Sequence, residues 1–308
     1  MADATTILEP VLPAGPAKPA AYRKLLRNPS VVFGAAVIAI VLLMGLFAPW
    51  LGTIDPTAIS PIARNKVPGT EITMRTDTGE RIKMIAKFGT DSLGRDVYSR
   101  VVYGARVSLF VGITVALISV ACGLFIGLLA GFFRILDAII MRIMDGLMAI
   151  PAILLAIAMV SLFRSSVWTV IIAITVPQVP GVVRLVRSIV LSVREEPYVE
   201  AAVTLGTSTP KLLWRHVLPN TIAPMIVQGT FICASAILIE AILSFLGIGV
   251  PPEVPTWGNI MAAGREVFSL FPHNIIYPGV FLAMTILAVN ILGDGLRDAL
   301  DPKMAKRM

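Results

Sequence analysis

The side chains that could do chemistry are few in this sequence and stand apart from one another. The only histidines are His216 and His273, and neither has a partner at metal-ligand spacing; both read as structural or surface residues. Cys122 and Cys233 sit inside apolar runs, at no spacing that suggests a metal site or a disulfide framework, and read as packing residues. There is no G-x-x-x-x-G-K-[ST] phosphate loop, no H-E-x-x-H helix and no G-x-S-x-G nucleophile elbow. Hydrolysis inside a membrane would need a nucleophile and a base at that depth, and no apolar run supplies a histidine. The chain is therefore not expected to be an enzyme, nor to bind a cofactor or metal of its own.

One ionisable residue, Glu240, interrupts the apolar runs. A carboxylate at membrane depth is costly and is commonly kept where it functions. It lies 17 positions after Ala223, about 25 Å along a helix and so near the far end of its run. Two readings stay open: a part of an outer gate or translocation pathway, shaping the gate or touching a cationic group of cargo, or a carboxylate hydrogen-bonded to a neighbouring helix or to interfacial water. Ion-coupled transporters place several such groups in their spans, and one is too few.

The elements that carry these residues are membrane-grade. Of the 308 residues 56% are hydrophobic and only 15% charged, and the mean hydropathy is +0.83, outside the balance of a soluble domain. The net charge of +7 comes from basic residues that flank apolar runs rather than from a basic stripe interleaved with aromatics, so a lipid surface and not nucleic acid is the expected partner. A hydrocarbon core needs about 20 apolar residues of helix. Six runs approach this, at approximately 31–51, 107–133, 146–163, 167–183, 221–250 and 275–292. The expected organisation is a tail over 1–30, disordered at its start, and a first span over 31–51. A loop over 52–106 follows, then a five-span core over 107–292 and a second tail over 293–308. With both tails cytoplasmic, the inner segments carry 15 Lys and Arg while two short outer loops carry only Arg164 and Arg265. The loop 52–106, with nine basic and six acidic residues, dissents, but long loops of mixed charge count weakly.

Within that loop, "PGTEITMRTDTGERIKMIAKF" reads as a small β-hairpin turning at "DTG". The following "GTDSLGRDVYSRVVYGARVSL" places Leu93, Val97, Val101 and Val102 on one helical face, with Asp91 or Ser92 as N-cap, and predicts an outer interfacial helix leading into the second span. "RILDAIIMRIMD" reads as a solvated helix in which Arg134 and Arg142 pair with Asp137 and Asp145 at helical spacing. Trp257 reads as an outer interfacial anchor.

The most polar stretch of the second half is "VEAAVTLGTSTPKLLWRHVLPN". Pro197 is tolerated in the first turn of a helix reaching Leu205, and Gly206 permits a left-handed C-cap. Ser208 or Thr209 can cap a second helix with Pro210 at its first position and Leu212, Leu213 and Val217 on its apolar side, before Pro219 stops it. Ala201, Ala202 and Gly206 offer a small-residue surface that another protein could approach closely. A chain that moves a solute without an ATP site or proton relay must receive energy through such a contact; a self-solvating loop is the plain alternative.

Glu200, Ala201, Ala202, Gly206, Leu218 and Pro219 fit the pattern E-A-A-x3-G-x9-(apolar)-x-L-P, and the chain thereby resembles the permease subunits of bacterial ABC importers. His216 stands where the general pattern has an apolar residue, but "RHVLPN" resembles the dipeptide/oligopeptide/nickel branch. So do "FGTDSLGRDVYSRVVYGARVSL", "DAIIMRIMDGLMAIPAILLAIA" and "EAILSFLGIGVPPEVPTWGNIM". The likeness is nearest to the C-type subunit (DppC/OppC-like). It implies an all-α polytopic protein of six transmembrane helices with the type I ABC importer permease fold, in the bacterial inner membrane, with a small periplasmic insertion after the first span. It implies as partners a homologous B-type permease, two cytoplasmic ATPases that bind ATP and Mg, and a periplasmic or lipid-anchored solute-binding protein. Residues 196–220 would then be the coupling element seated in an ATPase cleft. The cargo would be a di- or oligopeptide or a related solute such as a nickel chelate.

Overall fold

The computed structural model describes Leu25 and residues 28–75 and 81–300. Most of the first tail, the "DTG" turn and the last eight residues of the second tail lie outside the described residues. Among the described residues five helices are long and apolar enough to cross a membrane, and a sixth apolar stretch forms a pair of helices bent by 88°. The described residues are mostly helical, as the six apolar runs imply, and include the β-hairpin expected in the loop after the first span.

The first helix, α1 (Pro29–Leu46), starts on Asn28, whose side chain accepts from the amides of Ser30 and Val31. It packs on the last helix, α10 (His273–Leu300), where Gly34 and Gly295 let the backbones touch: a Cβ on either would come within 3 Å of the opposing helix. A two-stranded antiparallel sheet follows, β1 (Thr70–Arg75) and β2 (Arg81–Ala86), in the register Ile72↔Met84. Ile72, Met74 and Ala86 turn inward and close a small core with Ala63.

The central helix, α2 (Val97–Phe132), is 36 residues and about 54 Å long, well over the ~30 Å of a hydrocarbon core. Its N-cap is Asp96, which accepts from the amide of Ser99 at 2.8 Å, and not Asp91 or Ser92. Asp91 closes a tight turn instead, accepting from the amides of Leu93 and Arg95 at 2.9 Å each. Gly94 in that turn has φ +79°, and a Cβ there would overlap the carbonyl of Ser60, so a helix cannot begin earlier. No separate interfacial helix precedes the span; the Val97, Val101 and Val102 face is the buried start of one continuous rod.

The third apolar run is not a straight span. It forms α3 (Arg134–Met148) and α4 (Ala152–Leu162), which meet at 88°. Pro151 has no N–H to continue the ladder and takes an extended ψ of 130°, which sets the break. The acids of α3 pair with the next helix, α5 (Val167–Arg194), rather than with Arg134 and Arg142. Arg187 grips Asp137 with two nitrogens and Arg184 meets Asp145 at 2.6 Å. Arg187 meets both oxygens of Asp137, a bidentate pairing stronger than a single contact between neighbours on one helix surface. The second pair is solvent-exposed and contributes no more than about 1 kcal/mol.

α2 and α5 approach along a row of glycines. Gly123, Gly127 and Gly131 face Val182, Val186 and Val190, and a Cβ on Gly127 or Gly131 would stand 2.6 Å from the opposing valine Cβ. The rest of the chain builds a short helix α6 (Pro197–Thr204), then α7 (Thr209–Leu212), a π-helical turn at Leu213–Val217, and α8 (Leu218–Phe245). A short α9 (Trp257–Gly264) precedes α10. The fourth and sixth predicted runs lie on longer helices, α5 continuing past Val183 to Arg194 and α10 spanning His273–Leu300, whereas the fifth run is cut short because α8 ends at Phe245 and residues 246–250 form a turn.

Trp257 is not an interfacial anchor. It is fully buried, with its indole Nε1 donating to the carbonyl of Val101 at 3.1 Å. Thr256 caps α9 and the small Gly104 opposite leaves room for the ring, so the side chain enters the packing between α2 and α9. Trp257→Phe is expected to lower stability by about 1–2 kcal/mol, because the indole hydrogen bond is lost and the smaller ring leaves part of its buried site unfilled. Thermal unfolding of the purified protein in detergent checks this, and an unchanged midpoint would contradict it. Of the cysteines, Cys233 packs against the core while Cys122 is exposed on α2, so only the first is a packing residue within this chain.

Candidate functional site

At the end of α2 remote from the hairpin, Arg194 closes the last turn of α5 and donates from Nη1 to the carbonyls of Gly131 and Phe132 at 3.1 and 3.2 Å. This staples the two helix ends together and sets the platform from which α6 departs. Glu196 is its N-cap position, Pro197 lies in its first turn, and Glu200 sits where a carboxylate favours the positive helix end.

The helix is two-faced. Val199 and Ala202 are buried against the bundle, whereas Glu200, Ala201, Val203, Leu205 and Gly206 are exposed, Leu205 at 86%. Its end is a Schellman cap: Gly206 N donates to Val203 O at 2.9 Å and Thr207 N to Ala202 O at 3.0 Å. Gly206 has φ +77°, and a Cβ there would meet nothing within 4 Å. The turn thus needs glycine for its backbone and not for space inside this chain. A cavity of about 580 Å³ opens between α6 and the ends of α2 and α5, lined by Phe132, Arg194, Val199, Glu200 and Val203 among others.

Ser208 takes the N-cap position of α7 with Pro210 in the first turn, and Leu212 and Val217 are buried. Pro219 does not end this second helix. It lies in the first turn of α8, and Thr209–Phe245 runs as a single 37-residue span. The π-helical turn over Leu213–Val217 accommodates the change: widening the turn removes the need for the N–H that proline lacks. Leu218 is half-buried and Pro219 exposed at this junction. His216 is half-buried within the π turn, 6.1 Å from the ring of Tyr198. Asn220 Nδ2 donates to His216 O at 2.6 Å and to Tyr198 Oη at 3.2 Å, tying α6 to the start of α8.

Glu200, Ala201, Ala202, Gly206, Leu218 and Pro219 therefore occupy one polar unit. Glu240 does not join them. It lies 22 residues beyond Leu218, about 33 Å up the same helix. It is fully buried, its Oε1 accepting from Ser244 Oγ at 2.8 Å while Oε2 has no partner among the described residues. In this conformation its carboxylate reaches no open surface. His273 is likewise buried, packed against Gly89 at the first turn of α10, and is not a loop or surface residue. Arg194, Tyr198 and Asn220 escaped the sequence reading. A basic residue in the last turn of a helix was the only local sign of the first, and the contact of the other two depends on how α6 folds back.

These features define a polytopic helical membrane protein with an exposed, rigidly tethered helix–turn–helix at one end. Among the described residues, no group of three or more His, Cys, Asp or Glu side chains could hold a metal ion. Residues 123–306, which include that unit, match the family described as binding-protein-dependent transport system inner membrane component. Residues 20–68 match the N-terminal TM domain of oligopeptide transport permease C. The chain belongs to the binding-protein-dependent transport family and is a membrane permease subunit of an ABC importer. It is 49% identical over 281 residues to a Sinorhizobium fredii protein named a probable peptide ABC transporter permease, covering 91% of each chain. It is 39% identical to the dipeptide transport system permease protein of Alkalihalophilus pseudofirmus, covering 92% of this chain and 89% of that one. Its identity to the oligopeptide transport system permease protein of Bacillus subtilis is 35%, covering 91% and 87%.

Proposed function

We propose that this chain is the C-type half of the translocation pathway of an ATP-driven importer of di- or oligopeptides or a related small solute. It acts beside a homologous B-type permease. Two cytoplasmic ATPase subunits bind ATP and Mg and perform the hydrolysis, and a periplasmic or lipid-anchored solute-binding protein delivers the cargo. The chain itself catalyses nothing and holds no cofactor. Both termini lie in the cytoplasm, which places α6 and α7 on the inner side and the hairpin outside. The names of the relatives, peptide, dipeptide and oligopeptide permeases, support the cargo class.

The observation that carries the reading is the continuity of the polar unit with a span. The exposed turn at Gly206 is tethered to the start of α8, and α7 runs into α8 without a break, so a push on the turn tilts a helix of 37 residues. Glu200, Ala201 and Gly206 would seat in the ATPase cleft, while Ala202, which the sequence placed on the same small-residue surface, packs inward and holds the helix on the bundle; Leu218 and Pro219 would stand at the re-entry to the membrane. Closure of the ATPase pair would then swing the spans between inward- and outward-facing states. Glu240, sealed inside the bundle here, would take part in a gate only if that swing uncovers it.

The test is reconstitution. Proteoliposomes holding both permeases and the ATPases are expected to take up labelled dipeptide only with ATP and binding protein present. Uptake by this chain alone on an ion gradient would identify a secondary transporter and overturn the reading.

A further inference from the structure

The α6–α7 unit is not the only polar structure built across distant parts of the chain. At the opposite end of α2, Arg100 is fully buried. Its Nη1 donates to Pro56 O at 3.1 Å and its Nη2 to Pro252 O at 3.3 Å. Arg95 donates from Nη1 to the same Pro252 carbonyl at 3.4 Å, and its Nε holds Asp91 at 2.6 Å. Two guanidinium groups thus converge on one backbone carbonyl that is more than 150 positions away. With Asp91 engaged by Arg95, Arg100 has no carboxylate of its own among the described residues. Burying such a charge is a poor way to gain stability. What it provides is geometry: a planar fork can bridge two carbonyls on separate segments, whereas an ammonium is a flexible point donor.

The two segments so bridged are each rigid. The loop carrying Pro252 is pinned to α9 by Asn259, whose Nδ2 donates to the carbonyls of Val250, Pro251 and Val254 at 2.9–3.1 Å. It is pinned to α8 by Ser244, which accepts from Val250 N at 3.3 Å and donates to Glu240. On the other side, the hairpin-bearing segment is fixed to α2 by Ile54 N donating to Ser99 Oγ at 3.0 Å. It also reaches α10 through Phe88, stacked on Tyr277 at 4.1 Å between centroids.

We propose that Arg95 and Arg100 are positioning residues that latch the hairpin-bearing segment 53–96 to the loop after α8. A tilt of the Thr209–Phe245 rod, started at its α7 end, is thereby delivered to the hairpin, and movement of the hairpin is delivered back. This rests on the function proposed above for the α6–α7 unit. It adds that the insertion after the first span is a working part of the importer, joined to the coupling rod at the rod's far end.

The experiment uses the full complex of both permeases and the ATPases in nanodiscs, with ATP hydrolysis measured with and without cargo-loaded binding protein. Arg100→Met is expected to keep basal hydrolysis within about twofold of the parent. Maximal stimulation by the binding protein should fall about fivefold or more, the size of a lost coupling between two sites. The binding-protein concentration for half-maximal effect should be unchanged, because docking is left intact. Arg95→Lys, which keeps the Arg100 fork and a cation beside the buried Asp91, is the milder variant and should lose part of the stimulation. Full stimulation in both variants overturns the latch. So does a parallel loss of basal and stimulated rates, or failure of both variants to assemble, since either outcome makes the arginines purely structural. If the unsubstituted complex shows no binding-protein stimulation at all, it is the underlying importer reading that fails, and the two failures are thus told apart.

Discussion

Gly206→Glu is expected to leave the chain folded and in the membrane while disconnecting ATP hydrolysis from uptake. Inside the chain the substitution meets no obstacle, because a Cβ at this position touches nothing within 4 Å. The remaining internal effect is the positive φ of +77°, a strain of about 1–2 kcal/mol for a residue with a Cβ. A docking cleft changes this. A carboxylate pressed into a close contact loses its water without gaining a partner, a penalty of several kcal/mol, so uptake should fall by about 100-fold or more. Gly206→Ala carries the same backbone strain without the charge and should keep most activity. Cargo uptake and hydrolysis by the purified complexes distinguish the two variants, and wild-type import by the glutamate variant would show that this turn is not the coupling contact.

Gly127→Leu should act in the opposite way, on the fold and not on the partner. Lipid offers a helix as apolar a surrounding as another helix does, so α2 and α5 hold together by close packing. Gly127 faces the Cβ of Val186 at 2.6 Å from where its own would be, within a row shared with Gly123 and Gly131. A leucine there must separate the helices, and overpacking of this kind destabilises by about 3 kcal/mol or more. Little folded protein is expected, with an unfolding midpoint far below that of the parent. The milder Gly127→Ala should be partly rescued by Val186→Ala, which removes the opposing methyl groups. Equal stability of the Gly127→Leu protein and the parent would mean that the two helices do not pack along this row.

Much of the architecture is local in origin. An apolar run of membrane length makes a helix wherever it stands, which is why the six runs appear as five long helices and a bent pair. Gly206 takes its left-handed turn because only the neighbouring residues and the end of α6 decide it, and Ser208 and Pro210 open α7 for the same reason. The hairpin, too, follows from alternation along each strand. Local signals failed where two of them competed. Asp91 and Asp96 both suit a helix cap, and the choice between them fell to Gly94, pressed against Ser60 from another segment.

What the amino-acid sequence by itself determined was thus the class of protein, its spans, and the helix, glycine turn and helix of its polar unit, since each follows from preferences that act within a few residues. Only the tertiary structure decided that Pro219 starts a continuous rod, that Trp257 turns inward, that Asp137 pairs with Arg187, and that Arg100 joins Pro56 to Pro252. The physical reason is distance along the chain. A proline is read by the turn before it and an arginine by whichever oxygen the packing brings near, and in a bundle of long helices that oxygen can belong to a residue more than 150 positions away.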